Sequence, residues 1–452
     1  MDHDLIVIGG GAGGLGAARA ACRAGGKALL VTDGPLGGDC TFTGCVPSKT
    51  LLAAGRAGGS FDEAIERVAS TVARIAATET ADVLRAEGVT VVEGRARLTT
   101  HDTVAVGDQR LSAPRIVIAT GSRAFVPAIE GLDEVDYLTN ENVFALPAAP
   151  ESLGIIGGGP IGCEMAEAFS RLGVAVTLFE GFDRLLPREE PEASASVGRS
   201  LASRGVKVFT GAAIDRVAPG SGGSVIVHSQ GTEVGVERLL VAVGRVPNTE
   251  GLGLEELGVE LDARRHINTN DRLQSSVRGL YAAGDVTGKL AFTHAADEMG
   301  RLAAGNALRK GPRGRYETRW TPSVTFTSPE VAQVGMTESE ASAHGGRVAE
   351  LPLSEMDRAI TDGAEEGFIK LIAGPKRITR NLFAGELIGA TIVAPRAGEM
   401  IHEVVLAMRT GMFTGRLAQA PHAYPTWSYG IQKTAGQFFG AVEGRQARDA
   451  RG

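Results

Sequence analysis

No apolar run in the 452 residues reaches the roughly 20 that a membrane-crossing helix needs, so no spanning role is expected. Positive charge is not in excess either. The formal net charge is -7, whereas a nucleic-acid-binding surface leaves a basic footprint. Cysteine is scarce, four in all, too few for a disulfide-stapled secreted scaffold, and none follows Cys163. Neither the spare cysteines nor any histidine pair completes a four-ligand zinc site, so no resident metal is expected. The start, Met1-Asp2-His3-Asp4, is acidic and runs straight into an apolar strand, the pattern of a cytoplasmic protein rather than of a signal peptide. Glycine is what the chain has in abundance, 62 residues in functional-looking patches. The length suggests three or so packed units.

The apolar run Asp4–Ile8 ends in Gly9-Gly10-Gly11-Ala12-Gly13-Gly14, followed by a helical pattern over about 15–24 and the strand Ala28–Val31. Strand, glycine turn, helix, strand is a dinucleotide-binding unit. Gly9 makes the turn, Gly11 lets the backbone approach a pyrophosphate, and Gly14 lets helix and strand pack closely. A second copy runs from Leu153 through Gly157, Gly159 and Gly162 to the strand Ala175–Glu180. One such turn is a weak signal; two, each between a strand and a helix, are a strong one. The residue ending each second strand is where an acid holds ribose hydroxyls. Glu180 takes that place in the second copy and repels a 2′-phosphate, which favours NAD(H) over NADP(H), tempered by nearby Arg184. In the first copy the place falls to Thr32, with Asp33 beside it, and either one can serve the ribose.

Cys40 and Cys45 lie in Gly38-Asp39-Cys40-Thr41-Phe42-Thr43-Gly44-Cys45. A disulfide needs Cα atoms roughly 4.4–6.8 Å apart, which two residues five positions apart in one regular helix cannot meet. Cys40 is therefore expected in an irregular segment, bent by Gly37, Gly38 and Gly44. Pro47 suits a first helical position, which puts Cys45 just outside a helix N-terminus where the dipole favours its thiolate. Lys49, one turn on, adds positive charge. A redox role follows for the pair. Cys22 and Cys163 stand alone in helical patterns and read as small core residues.

These residues and several further motifs resemble the flavoprotein disulfide reductases, the family of dihydrolipoamide dehydrogenase, glutathione reductase and mercuric reductase. The resemblance extends over Gly37–Cys40, Cys45–Lys49, Ile118-Ala119-Thr120-Gly121-Ser122, Val243-Gly244-Arg245-Val246-Pro247-Asn248, Ala283-Gly284-Asp285 and Thr325–Ala332. It implies an α/β chain with two Rossmann-like domains, for FAD and NAD(P), and a C-terminal α+β dimerisation domain. The FAD domain is expected over 1–147 and 264–317, the NAD(P) domain over 148–263 and the interface domain over 318–452. The helix Arg396–Met408 belongs to the last, and the polar tail Glu443–Gly452 is expected to fray. Cys45 resembles the flavin-proximal thiolate and Cys40 the interchange thiol, with Lys49 by the flavin and paired to Glu164. Gly38, Thr120, Gly121 and Gly244 fall in the cofactor-binding motifs. Asp285 is implied to bind the ribityl chain of FAD, and Ala291 to His294 to line the flavin. A homodimer that completes the site is implied as well.

The pattern departs from the family in two places. Disulfide-reducing members carry a histidine and a glutamate near the C-terminus as the acid–base dyad; by register this chain has Tyr424 and Tyr429 instead. A phenol with an ordinary pKa near 10 is a poor base at neutral pH. His422, two residues away, is a substitute candidate. Tyrosine there resembles mercuric reductase, whose extra metal-delivering cysteines are missing. Pro160 stands where many relatives gate the nicotinamide pocket with an aromatic. The reading is an NAD(P)H oxidoreductase passing electrons through FAD to Cys40–Cys45 and on to a small-molecule disulfide, a metal ion or a quinone. A specialised thiol oxidoreductase and a redox-sensing flavoprotein without turnover are the alternatives.

Overall fold

The computed structural model describes residues 3–309 and 311–451. The chain forms two compact units, one of residues 1–127, 138–148 and 244–318, the other of 128–137, 149–243 and 319–452.

The first unit is built on a five-stranded parallel sheet in the order Leu280–Ala282, Ile116–Ile118, Leu5–Ile8, Ala28–Thr32, Thr90–Glu93. Leu5–Ile8 at its centre is buried on both faces, which is why it reads as a continuous apolar run. The helix Ala12–Arg23 starts inside the glycine turn, earlier than the helical pattern places it. It packs along the helix Thr293–Leu308 with almost no side chain between: a β-carbon on Gly300 would stand 2.0 Å from the carbonyl oxygen of Gly13. Residues 244–263, placed by their sequence in the second domain, pack in this unit. Arg245–Pro247 pairs with Ser122–Ala124, and Leu252, Leu254 and Val259 join Ile6 and Ile8 in one core.

In the second unit Ser152–Ile156 lies between Ala175–Phe179 and Arg238–Val241, with Lys207–Phe209 outside, all parallel. Pro160 opens the helix Pro160–Arg171, where its missing N–H costs nothing. A separate six-stranded antiparallel sheet follows. Its order is Ser323–Thr325, Glu330–Gly335, Glu386–Ala394, Phe368–Gly374, Arg347–Pro352, Arg448–Asp449. The helix Ala397–Arg409 covers it through Met400, Ile401 and Val404. The tail, expected to fray, supplies the sixth strand instead, Arg448 pairing with the mostly buried Glu338; Gly452 lies outside the described residues. No helix among the described residues is long and apolar enough to cross a membrane.

Candidate redox site

The two glycine turns are built alike. Gly9 adopts φ +111° and Gly157 φ +110°, a region open mainly to glycine. A β-carbon would strike the Ala119 carbonyl oxygen at 2.2 Å from Gly9, and the Ala242 carbonyl oxygen at 2.5 Å from Gly157. Gly14 and Gly162 are closed in by Gly9 and Gly157. Around Gly11 and Gly159, by contrast, a β-carbon would meet nothing within 4 Å. Each turn thus leaves one open glycine at a helix N-terminus, the cradle that a pyrophosphate requires, and the residues of each unit fit a dinucleotide such as FAD or NAD(P).

The strand-end residues differ. The carboxylate of Glu180 is buried and accepts from the Gly158 N–H at 2.6 Å and the Phe182 N–H at 2.8 Å. Thr32 is buried and donates its hydroxyl to the Gly34 carbonyl at 2.8 Å, while Asp33 is exposed. Arg184 Nη2 donates to the Pro187 carbonyl at 2.9 Å.

Cys40 is not in an irregular segment. It lies in the one-turn helix Gly38–Phe42, and Cys45 is the first residue of the helix Cys45–Ala57 rather than outside it. Pro47 therefore takes the third helical position. The break the disulfide geometry demands falls at Thr43 and Gly44, where φ is -136° and -121°. A β-carbon on Gly44 would lie 3.1 Å from the Cys40 Cα, so the chain folds back on itself there. Both cysteines carry free thiols. Cys40 hydrogen-bonds Cys45, and this bond, followed by burial, pushes the Cys40 thiol up, so Cys40 keeps its proton and shares it with Cys45. Cys45 Sγ lies 3.5 Å from Thr293 Oγ1, the first residue of the helix Thr293–Leu308. Two long helices thus begin at one sulfur, and both dipoles favour a thiolate there. Thr293 stands in the motif that includes His294, but its approach to the thiol was not legible in the sequence. Lys49 lies one turn after Cys45, half-buried.

Around the pair, Thr120 Oγ1 donates to the Asn248 carbonyl at 2.7 Å and Ser122 Oγ to Asp285 Oδ2 at 2.6 Å. The Gly121 carbonyl accepts from the Asn248 N–H, and that of Gly244 from the Phe125 N–H. Gly38 sits against Gly11: a β-carbon on Gly38 would be 2.8 Å from the Gly11 Cα. Ala291 and His294 are exposed, and the His294 ring stacks on Phe292 with centroids 5.5 Å apart.

Glu164 is in the second unit, buried, and accepts from the Phe326 N–H at 3.0 Å. Tyr424 is exposed; its hydroxyl donates to Asp357 at 2.8 Å and its ring meets Tyr429 edge-on. The bond to Asp357 and that carboxylate's charge raise the phenol further. His422 is held between two acceptors, Nε2 at 2.7 Å from Glu403 and Nδ1 at 2.8 Å from the Ala420 carbonyl. No ring nitrogen is left to face a substrate. Cys163 is fully buried and Cys22 half-buried with its thiol on the Gly88 carbonyl. Among the described residues no group of three or more His, Cys, Asp and Glu could hold a metal ion.

Residues 3–300 match the family model Pyridine nucleotide-disulphide oxidoreductase, and residues 321–435 match its dimerisation domain. The chain is 34% identical to a mercuric reductase of Staphylococcus aureus over 96% of its own length and 82% of the relative's. It is also 34% identical to a dihydrolipoyl dehydrogenase of Thermus scotoductus, over 96% of each chain. Among solved structures, the Cu(II) complex of the HOCl-induced flavoprotein disulfide reductase RclA from Escherichia coli superposes with a TM-score of 0.87 at 27% identity, over 96% of this chain and 99% of that one. Two glycine cradles, a thiol pair between them in sequence and a matching dimerisation module make this chain a member of the pyridine nucleotide-disulphide oxidoreductase family, an FAD-dependent NAD(P)H oxidoreductase.

Proposed function

We propose that Cys40 and Cys45 are the reducible pair of this enzyme, Cys45 on the flavin side and Cys40 facing the acceptor. The observation that carries this is the Cys40 thiol held to Cys45 where two helices begin. FAD, when bound, relays a hydride equivalent from the nicotinamide. The disulfide would take up its two electrons and proton, the S–S bond would break, and the products would be the Cys40 thiol, the Cys45 thiolate and free NAD(P)⁺. Atoms and charge balance with no further proton. The helix dipoles and Lys49 stabilise the thiolate, and the protonated Cys40 is then set to attack an acceptor once it gives up its proton.

Residues 1–147 with 264–317 serve FAD, together with 244–263, which pack in the same unit; 148–243 serve NAD(P) and 318–452 a two-fold contact between copies of the chain, and the matching dimerisation module supports the last. Thr32 or Asp33 serves the ribose on the FAD side, and Thr120, Gly121, Gly244, Asp285, Ala291 and His294 the rest of that cofactor. NADH is preferred over NADPH: the Glu180 carboxylate repels a 2′-phosphate, and Nη2 of Arg184 is turned to the carbonyls of Pro187 and Glu189. The acceptor is a small disulfide, a metal ion or a quinone. Mercuric reduction as in the Staphylococcus relative has the tyrosine at 424 in its favour. Steady-state rates with NADH and NADPH against lipoamide, glutathione disulfide, Hg(II) and a benzoquinone test this. At least one acceptor is expected to turn over in wild type but not in Cys40→Ser, with NADH ahead; turnover independent of both cysteines would refute the role of the pair.

A further inference from the structure

Arg245 opens the strand Arg245–Pro247, and its side chain is only 18% exposed. Its Nη2 donates to Asp39 Oδ2 at 2.7 Å and to the Ser122 carbonyl at 2.8 Å, while Nε donates to Ser122 Oγ at 2.7 Å. Ser122 passes the contact on to Asp285 Oδ2, itself 3.8 Å from Arg245 Nε. On its other oxygen Asp39 accepts from Asn140 Nδ2 at 3.1 Å and from the Thr43 hydroxyl, and Asn140 Nδ2 also reaches the Thr43 carbonyl at 3.3 Å. Asp39 precedes Cys40 directly, and Thr43 lies in the break between the two cysteines. One guanidinium therefore joins the one-turn helix that carries Cys40 to the strand end at Ser122 and to Asp285, all within the first unit.

The geometry points to Arg245 as a positioning residue for the thiol pair. Acting through Asp39, it fixes the turn from Asp39 to Gly44, so that the Cys40 thiol stays on Cys45 at the mouth of the two helices. The planar fork reaches the hydroxyl from Nε and the carboxylate and carbonyl from Nη2, whereas a lysine gathers its donors on one nitrogen and does not reproduce that spread. Partial burial leaves the Asp39–Arg245 pair less screened than a surface ion pair. The bland alternative is that Arg245 staples two strands and the thiols are indifferent to it. The inference rests on the reading of Cys40–Cys45 as a reducible pair beside FAD.

The two are separated with flavin-loaded wild type, Arg245→Gln, Arg245→Lys, Asp39→Asn and the double variant of Arg245→Gln with Asp39→Asn. Flavin content is measured first. Two readouts follow after one equivalent of NADH: the long-wavelength absorbance of a thiolate against the flavin, and the rate at which iodoacetamide labels Cys40, mapped by mass spectrometry. Both Arg245 variants and Asp39→Asn are expected to keep flavin, lose more than half of the absorbance and label Cys40 faster by about fivefold or more, the double variant being no worse than Arg245→Gln alone, as for two residues in one chain of contacts. Should the Arg245 variants not fold, Asp39→Asn, which keeps the size of the side chain, carries the comparison. Unchanged absorbance and labelling in the single variants, or additive losses in the double, overturn the inference. A wild type without the absorbance counts against the flavin–thiol reading alone, and the labelling rates then decide on Arg245.

Discussion

A β-carbon on Gly14 would stand 1.8 Å from the carbonyl oxygen of Gly9, and the same 1.8 Å separates such an atom on Gly162 from Gly157. These two glycines exist for helix–strand packing. Gly11 and Gly159, two residues after each turn begins, are free of that constraint.

The distinction has a direct consequence. Gly14→Ala is expected to cost folding itself, with little soluble flavoprotein, because a backbone atom has to move. Gly11→Ala is expected to fold with an apo melting temperature near wild type, while binding FAD at least about tenfold more weakly, since the added methyl would take up open space at the helix N-terminus that a pyrophosphate would need. Thermal melts of apoprotein and flavin titrations decide. Equal damage from both substitutions contradicts the assignment.

Tyr424 donates a hydrogen bond to Asp357, and that bond raises the phenol above its ordinary value, so no phenolate is present at neutral pH. Low turnover with lipoamide and glutathione disulfide is therefore expected. Tyr424→His is expected to raise it by about tenfold, short of a fully placed acid–base group, because no glutamate stands at 429 to orient the ring. Wild-type lipoamide turnover equal to that of a dihydrolipoyl dehydrogenase would falsify this.

Lys370 is fully buried in the middle of the C-terminal sheet, with Glu338 at 3.1 Å, Glu192 at 3.2 Å and Glu190 at 3.5 Å from its ammonium. Burial works against the Glu338 carboxylate, but hydrogen bonds from Arg448 and Lys370 overcome it and hold the group at about 2. Lys370→Met is expected to destabilise by roughly 3–5 kcal/mol at pH 7, because it strands several carboxylates. Glu338 has its depressed pKa only in the fold, so its stabilisation is present above its unfolded value of 4.5 and is lost as pH falls toward 2. The loss in Lys370→Met, read by thermal melts, is thus expected to shrink toward pH 3.

Glu189 is shifted the other way, up to about 7, by burial and then by the neighbouring Glu190. Its Oε2 has no hydrogen-bond partner. A raised carboxyl contributes stability below its unfolded value of 4.5 and loses it as pH rises through about 7. Between pH 5 and 8 this amounts to an order of 3 kcal/mol at most, at 1.36 kcal/mol per pKa unit. Glu189→Gln is expected to raise the melting temperature at pH 8 and leave it nearly unchanged at pH 5. A gain of equal size at both pH values would show that charge is not the cause.

The glycine turns and the thiol pair were legible because their chemistry is local: a strand, a turn of stated spacing and a helix occupy one short stretch. What was not legible depends on distant segments. Nothing near Cys45 announces Thr293, which arrives from a helix far along the chain. Residues 244–263 follow a second-domain strand in sequence, yet their apolar side chains fill the core under Leu5–Ile8. The tail looked loose by composition, whereas Arg448 finds a buried partner that no local pattern reveals. His422 looked available for proton transfer, and only the fold shows Glu403 and Ala420 occupying both of its nitrogens.

The central claim is that reducing equivalents from the nicotinamide come to rest on Cys40 and Cys45. Anaerobic titration of the flavoprotein with NADH tests it most directly. The expected result is uptake of two electrons with a long-wavelength absorbance that survives in Cys40→Ser as purified and is missing from Cys45→Ser. Flavin that NADH never reduces, or a full two-electron uptake with the same spectrum in Cys45→Ser, would contradict it.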